Sequence, residues 1–193
     1  MENKLILTLD HKYIDGNITR PGVNEILKAE GFVKYFNNDE FYLKRGEYIH
    51  LACALLDRGK LDWKSLSDEL KPYVLGYQKF ISDYNIKYLQ TEIEVLMSSK
   101  IWNFAGSPDR LPKLIKNKET LIDIKTGDYQ KHYELTTAAY QILCEENKYK
   151  VKQRWIVQLT QDANYKIIPC EDKKSRSVFL AAVLSFHWKK ENL

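Results

Sequence analysis

The spacing of hydrophobic residues changes near residue 90, and this change divides the chain into two regions. Before it, apolar residues mostly recur at the helical period of 3.6 residues. The pattern predicts one short strand and three helical stretches, over residues 4–10, 23–29, 40–57 and 62–84. Pro72 is expected to divide the last stretch, because proline removes a hydrogen bond inside a helix.

Residues at the helix ends support these boundaries. Gly31 and Gly59 follow the first two helices, where a left-handed residue commonly ends a helix. Asp39 is a suitable N-cap for the second helix, and residues 15–17 (DGN) predict a turn after the first strand. The second helix is predicted to face the core with the apolar stripe Phe41, Tyr48, Leu51, Ala52, Leu55 and Leu56.

After residue 90 the pattern becomes that of strands. Apolar and polar residues alternate or form short apolar runs over residues 92–97, 101–105, 120–125, 151–159 and 165–168. Helices are predicted over residues 133–146 and 172–189, and residues 116–118 (KNK) predict a hairpin turn. The resulting order over residues 91–193 is β-β-β-α-β-β-α. It predicts an α/β fold with a central mixed sheet flanked by helices.

Composition adds three limits to this picture. The 193 residues, 44% of them hydrophobic, favour one globular domain over 1–193, with a mainly helical part over 1–90. The formal net charge of +4 permits a polyanionic partner but does not identify one. The chain has three widely spaced cysteines and no run near the roughly 18 apolar residues of a membrane span, so a cytoplasmic location is expected, without membrane contact.

Two aspartates flank the predicted hairpin and are the strongest candidates for chemistry. Asp109 follows one strand region, and Asp123 lies in the strand after the turn. Because side chains alternate along a strand, Asp123 and Lys125 should project to one side and Ile124 to the core. If the two strands pair, Asp109 lies near Asp123. Two converging carboxylates favour a hard cation such as Mg²⁺ or Mn²⁺.

The same strand offers further groups for such a cation. The backbone carbonyl of Ile124 is an additional oxygen ligand, and Lys125 can orient an attacking water and stabilise charge on a phosphate. This set suits hydrolysis of a phosphodiester. An aspartate and a lysine two residues apart are also common on solvated strands. Here, however, they follow the apolar residues Leu121 and Ile122, which favours a functional site.

Pro108-Asp109 followed by Asp123-Ile124-Lys125 resembles the PD-(D/E)XK nuclease superfamily, in particular its RecB-like and phage-encoded exonuclease branch. AGSPDRL over residues 105–111 is similar to that branch's A-G-T-x-D segment, and LIDIKTG over 121–127 to its D-x-K-[ST]-G segment. RGEYIH over 45–50 resembles its G-x-x-x-H helix, and PGVNEIL over 21–27 the opening of phage members. The resemblance covers about residues 20–160 and implies a restriction-endonuclease-like core.

The resemblance implies roles for several acidic and imidazole side chains. Asp109, Asp123 and His50 would hold Mg²⁺ or Mn²⁺, and Lys125 would be the catalytic lysine. Glu92 matches a further acidic position, although Glu94 projects to the same side and the two are not separated by the pattern. Glu47 lies one turn before His50 and would orient it.

Six residues are expected to contact DNA: Arg110, Lys113, Thr126, Lys131, Thr136 and Tyr140. Arg110 directly follows Asp109 and can bind a phosphate bidentately. Tyr140 matches the tyrosine of a Q-x-x-x-Y motif, with Thr136 at the position of the glutamine. Candidates for base stacking are Tyr13, Tyr35, Tyr42, Trp63 and Trp102, although aromatic residues are more often in the core.

The function implied is a metal-dependent deoxyribonuclease, with exonuclease activity taken from the resemblance, in phage or bacterial DNA processing, recombination or repair. Some relatives carry an iron–sulfur cluster, but three scattered cysteines cannot form a four-thiolate site, so none is expected. The alternatives are a structure-specific or restriction-like endonuclease, a catalytically inactive DNA-binding module, and a metal-independent structural protein. Single- or double-stranded DNA, a homo-oligomer and a recombination-protein partner all stay open.

Overall fold

The structure, a computed structural model, describes residues 5–8, 10–33 and 40–193. Tyr35, Asp39 and two residues of the predicted first strand, Lys4 and Leu9, lie outside the described residues. None of the described helices is long and apolar enough to cross a membrane. The single domain over 1–193 stays a prediction.

A small antiparallel sheet precedes the first helix. Its strands are β1 (Leu5–Leu7), β2 (Tyr13–Asp15) and β3 (Ile18–Arg20), paired in that order. The predicted turn between β2 and β3 is confirmed, with Gly16 at φ 65°. The strands β2 and β3 were not predicted, because three residues are too few to show alternation. The region over 1–90 is therefore not purely helical.

Three helices follow, and two of them match the sequence pattern. They are α1 (Val23–Ala29), α2 (Glu40–Asp57) and α3 (Lys71–Asp83). Gly31 and Gly59 have φ of 74° and 64°, which confirms them as helix ends. The prediction of helix over 62–70 is wrong. Pro72 lies in the first turn of α3, where proline costs no internal hydrogen bond.

The buried face of helix α2 matches the predicted stripe only in part. Ala52 of the stripe is buried and Leu56 packs against the core, but Phe41, Tyr48 and Leu51 are exposed. The other buried residues of the helix are Ile49, Cys53 and Ala54. The apolar residues of α2 lie all around the helix, so periodicity alone could not choose between its faces.

The central mixed sheet is confirmed. It contains β6 (Lys113–Ile115), β7 (Lys118–Lys125), β8 (Gln153–Leu159) and β9 (Tyr165–Pro169), in that order. Pairing is antiparallel for β6–β7 and β8–β9 but parallel for β7–β8. Helix α4 (Tyr133–Glu146) makes the crossover between the parallel strands, and α5 (Ser175–Asn192) closes the described chain.

The strands before this sheet differ from the prediction. The predicted strand over 92–97 is replaced by a 3₁₀ turn over Gln90–Glu92, a bridge at Ile93 and a left-handed Glu94 at φ 54°. Strands β4 (Met97–Ser99) and β5 (Phe104–Gly106) form a separate antiparallel hairpin. A positive φ interrupts alternation and cannot be read from the apolar pattern.

Helices cover both faces of the central sheet. Leu121 of β7 packs with residues of α1, α4 and α5, including Ile26, Leu143 and Phe179. Ile122 and Ile124 lie in a second buried cluster with residues of α2 and α3. The alternation along β7 thus sends Ile124 into one core and leaves Asp123 and Lys125 on the side of α4.

A buried ion pair anchors the loop between β5 and β6, and it corrects one prediction. Arg110 is 1% exposed and donates from Nε to Asp57 Oδ2 at 2.6 Å. The Tyr77 hydroxyl donates to the same carboxylate oxygen at 2.8 Å. Arg110 also donates to the Asp109 carbonyl at 2.6 Å. The prediction that Arg110 contacts DNA is therefore wrong, because its guanidinium is inside the core.

Replacement of Arg110 by alanine should destabilise the protein by about 3–5 kcal/mol, because it leaves the buried Asp57 carboxylate without its cation. Arg176, which pairs with Glu145 at 2.6 Å on the surface, provides the matched control. Arg176→Ala should cost at most about 1 kcal/mol. Urea unfolding of both variants measures the difference. Equal small losses would contradict a structural role for the Arg110 pair.

Candidate active site

Asp109 is fixed by the hairpin that carries Asp123. Asp109 lies just before β6, and β6 pairs with β7 through the turn at Lys116 and Asn117. The backbone N–H of Ile124 donates to Asp109 Oδ2 at 2.7 Å. This bond holds Asp109 beside the residue that separates Asp123 from Lys125. The two aspartates are thus brought to one end of the hairpin, as their spacing suggested.

His50 reaches the same point from helix α2. Its Nδ1 lies 3.2 Å from Asp109 Oδ1. The preceding residue, Ile49, is fully buried and anchors this turn of the helix in the core beneath the sheet. His50 and Asp109 are separated by 59 positions in the sequence.

Lys125 and Asp123 form an ion pair on the face of β7 that α4 covers. The Lys125 Nζ lies 2.6 Å from Asp123 Oδ2, and the Asp123 side chain is 2% exposed. The ammonium also lies 5.3 Å from the centroid of the Tyr133 ring on α4, within range of a cation–π contact. Ile124 between them is fully buried. The prediction that Asp123 and Lys125 project to one side of the strand and Ile124 to the core is confirmed.

The four side chains shift one another's ionisation. Burial opposes the charge on Asp109, but His50, Lys125 and the Ile124 N–H together hold its pKa well below the usual range. Burial opposes charge on His50 as well, yet Asp109 raises the pKa of this imidazole above its ordinary value. Burial raises the pKa of Asp123, and the charge of Asp109 adds to this while Lys125 opposes it. Against its own burial, Lys125 has a raised pKa because both carboxylates stabilise its charge.

The donor atoms of this group suit a hard divalent cation. Two carboxylates, one imidazole and the Ile124 carbonyl are ligands that Mg²⁺ and Mn²⁺ accept. Asp123 Oδ2 is buried and lies 2.6 Å from the Lys125 ammonium, and a carboxylate that accepts one such contact still has lone pairs for a cation. In the described part of the chain, no three His, Cys, Asp or Glu side chains already converge as a metal group. The residues therefore fit such a cation in kind, and His50 has a second ring nitrogen besides the Nδ1 that faces Asp109.

The remaining acidic candidates have other partners. Glu92 Oε2 accepts the Leu89 N–H at 2.6 Å, and Oε1 accepts from Lys113 Nζ at 2.6 Å. Glu94 lies 3.5 Å from Arg58. The structure therefore engages both Glu92 oxygens in local contacts rather than with Asp109 or Asp123, and Lys113 is committed to the same pair.

Two further candidates are exposed. Glu47 lies on the solvent side of α2, and no hydrogen bond or ion pair within the described ranges joins it to His50. Lys131 is 75% exposed and lies 3.6 Å from Asp172, so its ammonium is accessible to a polyanion.

A cleft of about 780 Å³ opens beside Lys125 and contains the other predicted contacts. Thr126, Thr136 and Tyr140 all line it. Thr136 is nearly buried, and its hydroxyl donates to the His132 carbonyl at 3.3 Å. Burial and the charges of Asp123 and Asp109 raise the pKa of Tyr140, which therefore stays a neutral hydrogen-bond donor near the carboxylates.

Among the lining residues without a role predicted from the sequence are Arg45, Tyr73 and Tyr133. Arg45 directly precedes the glycine of the G-x-x-x-H segment, which was the available signal. Tyr73 and Tyr133 gave none, since a tyrosine at the start of a helix is ordinary.

No protein-family model matches the sequence, and no match is found among curated proteins. Among solved structures, the chain is similar to a candidate exonuclease from Eubacterium rectale. The identity is 12%, the alignment covers 86% of this chain and 71% of that chain, and the TM-score is 0.49. It is also similar to an alkaline exonuclease from Laribacter hongkongensis, with 16% identity, coverage of 89% and 92%, and a TM-score of 0.40.

Affinity for Mn²⁺ should rise with pH, by up to about tenfold per unit, while His50 is protonated. Asp109 raises the pKa of His50, so below that pKa a proton occupies the imidazole and must leave before a metal binds. The dependence should flatten above it. Calorimetric titration of Mn²⁺ between pH 5.5 and 8.5 (roughly the range around the ordinary histidine pKa) measures this.

The variant His50→Ala should bind Mn²⁺ more weakly and lose most of the pH dependence. His187→Asn is the matched control, because His187 contacts the Asn103 carbonyl instead. A His50→Ala protein with the wild-type pH profile would contradict the assignment of His50 to the metal.

Proposed function

We propose that this protein is a metal-dependent deoxyribonuclease of the PD-(D/E)XK type that acts as an exonuclease. The observation that carries the proposal is the convergence of Asp109, His50, Asp123 and Lys125 at one end of the β6–β7 hairpin. Two carboxylates and an imidazole from three separate elements meet a lysine there, beside an open cleft. The exonuclease activity and the biological setting, phage or bacterial DNA processing, recombination or repair, rest on the motif resemblance alone.

Each side chain has a role that follows from its position. Asp109, Asp123, His50 and the Ile124 carbonyl would hold Mg²⁺ or Mn²⁺, which supplies Lewis-acid polarisation of the scissile phosphate when bound. Lys125 is held by Asp123 with its ammonium at the cleft wall. From there it donates a hydrogen bond to the attacking water or to a phosphate oxygen as negative charge develops.

The rest of the local structure keeps these groups in place. The Ile124 N–H fixes the direction of Asp109. The Tyr133 ring limits the positions that the Lys125 ammonium can take. Such preorganisation is what electrostatic stabilisation of a transition state requires. Glu92 is left as a contact of Lys113 and Leu89, so the proposal does not depend on it.

Substitution of Lys125 by alanine should lower metal-dependent cleavage of linear DNA by about 100- to 1,000-fold, because one preorganised donor to the developing charge is lost. Labelled single- and double-stranded oligonucleotides incubated with Mg²⁺ or Mn²⁺ measure the rate. Lys190→Ala, at an exposed position of α5, is the matched control and should cleave normally. Absence of metal-dependent cleavage by the wild type would refute the nuclease, and equal cleavage by Lys125→Ala would refute this mechanism.

Closed circular DNA distinguishes the exonuclease from an endonuclease on the same site. We expect linear DNA to be degraded and covalently closed circles to stay intact, because an exonuclease needs a strand end. Gel analysis of both substrates in one reaction measures this. Conversion of circles to linear or nicked forms would instead identify an endonuclease. Binding of DNA without cleavage of either form would identify an inactive DNA-binding module.

A further inference from the structure

The cleft beside Lys125 has walls from several parts of the chain. Helix α2 contributes Arg45, α3 contributes Tyr73, α4 contributes Tyr133, and the end of β8 contributes Gln158. Helix α2 approaches the end of β7 closely, because a Cβ on Gly46 would lie 3.8 Å from the Thr126 hydroxyl. This approach places Arg45 in the same cleft as the catalytic end of β7.

The guanidinium of Arg45 is mostly buried in that wall, in contact with two aromatic rings. Its side chain is only 12% exposed. Its guanidinium carbon lies 4.9 Å from the centroid of the Tyr42 ring and 5.3 Å from that of Tyr73. The planar group is therefore fixed by two aromatic rings, which reduces the rotamer freedom that a ligand would otherwise have to remove.

The hydrogen-bonding capacity of Arg45 is largely unused. Its Nε is buried and has no hydrogen-bond partner among the described residues. The nearest carboxylate contact is Glu69, at 3.9 Å from a terminal nitrogen and half exposed to solvent, which is a weak pair. A buried N–H without an acceptor is unfavourable. A ligand that accepts from the guanidinium fork would relieve this.

The charge and the volume of the cleft limit which ligands can bind there. Of the charged residues in its lining, Arg45 and Lys125 are cations and Asp128 is an anion. The remaining polar lining includes the amides of Asn24 and Gln158. A volume of about 780 Å³ is that of a site for a small ligand. This volume suits a few nucleotides of one strand better than a section of duplex.

We infer that the cleft binds a single DNA strand and that Arg45 is the residue that grips a backbone phosphate of it, next to the one cleaved. A phosphate accepts two parallel hydrogen bonds from a guanidinium fork, and Arg45 carries such a group in the cleft wall. Tyr42, which is 56% exposed, offers an open aromatic surface for a base. The identity of the neighbouring, cleaved phosphate rests on the proposed nuclease function, whereas the strand contact itself does not.

Binding can be measured without cleavage. Fluorescence anisotropy of a labelled single-stranded oligonucleotide in EDTA gives Kd, and a series of salt concentrations gives the slope of log Kd against log salt. Wild-type protein should bind the single strand more tightly than a blunt duplex of the same length. Arg45→Gln should weaken binding by about 10- to 100-fold, the usual size for a charge-assisted contact. It should also lower the slope by about 0.7, the value for one phosphate of a single strand.

Two further variants keep the result interpretable. Arg176→Gln, on α5 and outside the cleft lining, is the matched control and should leave both Kd and slope unchanged. Arg45→Lys keeps the charge but not the fork, so it should retain the slope and bind several-fold more weakly. If Arg45→Gln does not fold, Arg45→Lys decides: an unchanged Kd would overturn the inference.

Other outcomes separate this inference from the proposed function. An Arg45→Gln protein that folds and keeps the wild-type Kd and slope would overturn the phosphate contact, even if the wild type is an active nuclease. Tighter binding of the duplex than of the single strand would overturn the single-strand assignment. If the wild type shows the Arg45-dependent slope but no metal-dependent cleavage, the proposed nuclease function fails and the strand contact stands.

Discussion

The carboxylate of Asp109 makes polar contacts with two elements that also pack together in the core, and the geometry of the site depends on these contacts. One oxygen contacts His50 on α2, and the other accepts the backbone N–H of Ile124 on β7. Because the second bond is to the backbone, it fixes the strand itself. The directions of the side chains on either side of Ile124 then follow from the pleat. Asp109 thus links helix, loop and strand at the point where the candidate site lies, in addition to the core that α2 and β7 share.

The sequence correctly predicted the features that depend on a single strand, turn or helix. Alternation over β7 correctly assigned Ile124 to the core and Asp123 and Lys125 to the other side. The hairpin turn before β7 was predictable because asparagine tolerates the left-handed conformation. Lys116 and Asn117 both adopt that conformation in the turn. The helix over Tyr133–Glu146 and its crossover followed from period and order alone.

Features that depend on tertiary contacts were not predictable. Arg110 has the charge and the position of a phosphate ligand, and only the fold shows that Asp57, far away in sequence, binds it inside the core. Glu92 lies elsewhere than predicted for a local reason, since a 3₁₀ turn is present where a strand was expected. Arg45 is the first residue of the RGEYIH segment, but its position in the cleft depends on a contact with Tyr73 from another helix. Pairwise contacts of this kind leave no periodic trace.

The carboxylates of Asp109 and Asp123 are already matched by His50 and Lys125, so their burial does not require a metal ion to balance their charge. This differs from small zinc domains, in which metal binding supplies the folding free energy and a chelator unfolds the chain. Under the proposed function, assembly and activation would be separate events. The supply of divalent cations would then set the activity while the amount of folded protein stays constant.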